Sequence, residues 1–131
     1  MSTTVRIFQG ITGLAGLAAL ILGLLRWIFQ LDIITIHMIC GLTVALGLLS
    51  LSILMLFGQK TRLWGIIGIV YALFVPFFGL NQFTILIGNL HWLVQLAHLL
   101  VGIGALALVD RIARQYLMLK KPAEASVNLN K

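Results

Sequence analysis

Residues 63–109 contain no Lys, Arg, Asp or Glu, and this run limits the fold more tightly than any other feature. A single helix of about 20 apolar residues, rising ~1.5 Å per residue, crosses a ~30 Å hydrocarbon core. The run is too long for one crossing and has to fold back once. Gly79, Asn81, Gln82, Thr84, Gly88 and Asn89 cluster where that reversal belongs. Earlier in the chain, residues 7–25 make a first span. Residues 33–58 make a second, which stops at the polar cluster Gln59, Lys60, Thr61 and Arg62. The predicted spans are about 7–28, 33–58, 63–80 and 89–110.

A water-soluble fold could not hide this much apolar surface. Hydrophobic residues make up 61% of the chain, the mean hydropathy is +1.12, and the acids are Asp32, Asp110 and Glu124, whereas soluble domains are about one-quarter charged. The first span has no small-residue cleavage site followed by a soluble mature region, which favours a retained helix over a signal peptide. The expected fold class is all-α: one integral membrane four-helix up-down-up-down bundle over residues 1–119, with short loops that make sequential helices antiparallel neighbours. The polar tail 120–131, with Pro122, Glu124 and Ser126, reads as disordered and cytoplasmic.

Basic residues in short loops set orientation. With four spans, Arg6, Lys60, Arg62, Arg111, Arg114, Lys120, Lys121 and Lys131 share one side, and Arg26 stands alone on the other. This split predicts a multi-pass plasma-membrane protein with both termini in the cytoplasm. The net charge of +6 is then a topology signal. Its expected partner is the lipid bilayer with its anionic headgroups, not nucleic acid, since no soluble domain is present to carry such binding. Trp27 and Trp92 fall near the outer boundary and Trp64 near the inner one, as interfacial tryptophans do. The single cysteine, Cys40, reads as a small apolar residue in helix two. Ala15, Ala19 and Gly23 on helix one, spaced by four, read as generic close packing.

Ionisable groups inside a bilayer are costly, and function is the default reason for them. All three histidines lie on helices two and four. On helix two, His37, Gly41, Val44, Leu48 and Ser52 share one face; on helix four, His91, Gln95, His98, Gly102 and Ala105 do. His37 and His98 each precede a glycine by one turn, Gly41 and Gly102. A flat macrocycle held between helices needs an imidazole nitrogen for its metal and a neighbour without a side chain, and His-x3-Gly supplies both. Depth and motif choose different partners for His37. His91 matches it in distance from the outer surface, while His98, roughly 10 Å deeper on the same face as His91, matches it in motif.

Each histidine also has a plainer reading, as an interfacial residue (His91) or as a hydrogen-bond partner inside the bundle (His37, His98). Arg26 lies at the level of the outer histidines, where a guanidinium can pair with a propionate or simply snorkel. Zinc is poorly served, because His91 and His98 differ in height and Cys40 is only three residues from His37.

The segments 37–51 and 91–109 resemble small four-helix membrane b-type cytochromes, and also bacterial four-helix membrane proteins of similar layout. The resemblance implies one haem b with axial ligation by His37 and by His98 or His91, and electron exchange with a quinone or a redox protein. Because helix two has one histidine, two haems are not implied. The expected function is electron transfer, by the protein alone, as a homo-oligomer or as a small subunit of a larger complex. The alternatives are a cofactor-free structural or assembly subunit and a bundle that binds quinone or another small molecule. A chlorophyll-type macrocycle, needing one histidine, also stays open.

Overall fold

In hydrocarbon no water is at hand for an unpaired peptide group, so an apolar run that crosses a membrane closes its hydrogen bonds internally, as a helix or a barrel. The computed structural model describes residues 2–129, with side chains for 3–119. The helices are α1 (Ser2–Phe29), α2 (Ile34–Leu56), α3 (Arg62–Asn81) and α4 (His91–Leu129). Four segments, Thr3–Phe29, Ile34–Leu56, Arg62–Asn81 and His91–Leu119, are long and apolar enough to cross a membrane.

The helix ends fall within two residues of the expected span limits, except that α1 begins earlier than residue 7 and α4 runs on past residue 110. α3 runs unbroken through Pro76, so Gly79 belongs to its last turns and not to the loop. α4 continues to Leu129, where composition points to disorder. Extending an existing helix adds a hydrogen bond for each residue fixed, without a new nucleation cost. Residues 130–131 of that tail lie outside the described ones.

The four helices form a rhombus. Each packs on its sequence neighbour, α1 also packs on α4, and α2 meets α4 across the middle, whereas α1 and α3 do not touch among the described residues. The short diagonal, α2 to α4, joins the two helices that carry the histidines.

Packing is uneven along the bundle axis. The core cluster of Val5, Leu48, Leu51, Met55, Ala72, Val109, Ile112 and Ala113 lies in the half nearest the α2–α3 turn. Lipid is as apolar as leucine, so close approach and dispersion hold this half together more than solvent exclusion does. At Gly68 a Cβ would strike Ser52 Oγ and come within 2.9 Å of Ile112 Cδ1, so three helices meet there because a side chain is missing. Several polar side chains in this half are paired. Ser52 Oγ donates to Leu48 O at 2.6 Å, Thr61 Oγ1 to Met55 O at 2.7 Å, and Gln9 Nε2 to Asp110 Oδ1 at 2.9 Å. Arg111 lies 4.4 Å over the Trp64 ring. In the other half, among described residues 20–43 none is buried, and among 73–101 only Val94 is. This looser half holds the histidines.

Candidate functional site

His37 lies in the first turn of α2, and His98 lies two turns into α4. Their rings face each other across the short diagonal, with centroids 5.9 Å apart and planes inclined by 57°. Of the two pairings left open by the sequence, the structure brings His37 to His98. His37 is three residues from the start of α2 and His98 seven from the start of α4, so α4 begins roughly 6 Å beyond the level at which α2 begins. The longer α3–α4 connection, 82–90 against 30–33, permits that offset. His91 instead stands at the mouth of α4, with Nδ1 3.4 Å from Ile85 O in the connecting loop.

Each ring rests on a glycine of the preceding helix. A Cβ on Gly23 of α1 would lie 3.2 Å from His37 Cε1, and one on Gly79 of α3 would lie 3.2 Å from His98 Cε1. The two hairpins therefore repeat one arrangement, a glycine late in the first helix under a histidine early in the second. Sequence reasoning missed both glycines in this role. The Ala15, Ala19, Gly23 spacing carried a signal for the first, but Gly79 was hidden among the turn-forming residues that follow it.

The two histidines differ in what holds them. His37 Nδ1 lies 2.9 Å from Ala19 O. A carbonyl only accepts, so in the neutral ring Nδ1 carries the proton and the lone pair is on Nε2. That is the tautomer of a metal-ligating histidine whose other nitrogen donates to the backbone. The Nδ1 of His98 is buried and has no hydrogen-bond partner. Its ring is held by aromatic contact: Phe78 stacks on it at 6.0 Å, Phe74 stacks on Phe78 at 5.6 Å, and Tyr71 follows at 6.4 Å. Tyr71 in turn donates to Val101 O at 3.0 Å, tying α3 to α4 below the site.

The remaining expected residues are less engaged. Gln95 is partly buried about one turn before His98. Arg26 Nη1 donates to Leu31 O at 3.3 Å across the α1–α2 connection. A Cβ on Gly41 would meet nothing within 4 Å, and one on Gly102 would lie 3.6 Å from Leu20 Cδ2.

The donor set separates the ligands such a pair can hold. Two imidazole nitrogens at about 2 Å from one ion put their ring centroids roughly 6 Å apart, close to the observed 5.9 Å. Among the described residues no third His, Cys, Asp or Glu joins them, so a bare zinc ion would have two protein ligands where it takes three or four. A tetrapyrrole brings four nitrogens of its own and asks the protein for only two axial ones. Compared with protein-family models, with curated proteins and with solved structures, the chain matches none.

Proposed function

We propose that this chain is a membrane b-type cytochrome in which His37 and His98 would hold one haem between α2 and α4, and that it transfers electrons. The observation carrying this reading is the 5.9 Å approach of two imidazoles from different helices, with no further protein ligand beside them among the described residues. Haem supplies one-electron chemistry when bound. The Ala19 carbonyl orients His37 and leaves Nε2 free to ligate. Gly23 and Gly79 let both rings lie against the backbones of α1 and α3, and the surrounding apolar helices supply a low-dielectric setting. The charge asymmetry orients the bundle with both termini in the cytoplasm of a plasma membrane and the histidine half toward the outer face. A quinone or a redox protein, met alone or within a larger complex, is the partner this calls for.

One observation favours a second reading. The His37 to Ala19 bond is itself an interhelical tie, of the kind a cofactor-free assembly subunit uses. The absorption spectrum of protein purified from haem-replete cells separates the two. A Soret band with sharp reduced α and β bands, lost in His37→Ala, is expected. A colourless protein would overturn the haem assignment.

A further inference from the structure

The two ligand histidines are built differently, and the difference concerns what else binds there. His37 has its Nδ1–H anchored on Ala19 O. His98 ligating through Nε2 would carry its proton on Nδ1, the buried atom that has no acceptor. A backbone acceptor strengthens a histidine ligand by orienting it and raising its basicity, and loss of such a partner weakens ligation. His98 is constrained by packing alone, with Phe78 stacked on it, His37 facing it and Gly79 beneath it, and packing restrains a ring without fixing its reach toward a metal.

From this asymmetry we infer that His98 is the exchangeable ligand and that the site binds a small neutral diatomic molecule, such as carbon monoxide or nitric oxide, in its place. The inference rests on the haem reading above. On binding carbon monoxide, the bond from iron to His98 breaks and a bond from iron to carbon forms, with no net movement of electrons or protons. His37 stays in place on the Ala19 carbonyl. Access fits the same chemistry. Residues 20–43 include none that is buried, residues 73–101 include only Val94, and the exposed surface there is mostly apolar: Ile36, Ile39, Phe77, Leu80 and Leu100. Neutral diatomic molecules dissolve in hydrocarbon and can arrive through such a wall, whereas anions are excluded from it.

The test uses the full-length protein in detergent, reduced with dithionite and exposed to carbon monoxide, alongside His98→Ala and His37→Ala. Three results are expected. The wild-type Soret band shifts and sharpens, and the band of His98→Ala does so at lower carbon monoxide concentration. His98→Ala keeps haem as a five-coordinate, high-spin species that added imidazole returns to low spin. His37→Ala loses most of its haem. A haem-loaded, low-spin wild type whose spectrum carbon monoxide leaves unchanged overturns the exchangeable role of His98 while leaving the haem reading intact. So does equal haem loss in both variants. A colourless wild type overturns both readings.

Discussion

Gly23 lies directly beneath His37, so close that a Cβ there would stand 3.2 Å from Cε1 of the imidazole. The Ala19 carbonyl that holds the ring is one turn before this glycine. A larger residue at 23 pushes the ring off its acceptor while leaving the chemistry of His37 unchanged. Gly23→Val is therefore expected to cut haem content several-fold, measured as pyridine haemochrome per polypeptide, whereas Gly79→Val, acting through His98, should keep its haem and turn the spectrum high-spin. Gly41→Ala adds a methyl group where nothing lies within 4 Å, and the unfolding midpoint of the apoprotein should not move. Normal haem content in Gly23→Val would remove this glycine from the site.

The pairing of His37 with His98 leaves His91 outside, facing the loop carbonyl of Ile85. His91→Ala should retain its full haem complement and an unshifted reduced α band. If its spectrum matched that of a His98 variant, the ligand assignment would have to move to His91.

Asp110 accepts from Gln9 at 2.9 Å and pairs with Arg114 one turn later. The two contacts have different worth. The Gln9 bond joins α1 to α4 and contributes about 1 kcal/mol. The Arg114 pair is local and solvent-facing, and such pairs add little. Gln9→Ala is expected to lower unfolding stability in mixed micelles by roughly that 1 kcal/mol, with Arg114→Ala unchanged within error. Equal losses in the two variants would show that the interhelical bond has no special weight.

Leu48 is 0% exposed and Leu42, on the same helix, is 53% exposed. Truncating Leu48 empties space inside the core cluster and forfeits its dispersion contacts, an expected cost of about 2 kcal/mol or more. Leu42→Ala trades one lipid contact for another and should unfold like the parent. Reversible unfolding in detergent distinguishes them, and comparable losses would mean that the core is misplaced.

The proposed orientation has its own test. In a Cys40→Ser background, Gln59→Cys in the α2–α3 turn should react with a membrane-impermeant maleimide only after cells are opened. Gln30→Cys in the α1–α2 connection should react in intact cells. The reverse pattern inverts the topology.

Much of this molecule was legible in order along the chain. The charge-free run over 63–109 required a reversal, and apolar spans of bilayer length required helices, because hydrocarbon leaves peptide groups no other partner. His37 and His98 stood out for the cost of placing an ionisable group in such a span, and their helical faces followed from spacing alone. The choice of His98 over His91 did not follow. It depends on how far α4 slides past α2, and that offset is set by the length of a connection and by side chains on both helices. Nor did the support of the site by Gly23, Gly79 and the Ala19 carbonyl. A glycine in a sequence marks missing bulk without saying what fills the space, and a helical carbonyl carries no sequence signature at all. The sequence by itself determined four apolar helices and the two that bear the histidines. The tertiary structure decided which histidines meet, that one is anchored and the other is not, and that they sit in the loosely packed half, because these depend on distances between helices that spacing within a helix does not encode.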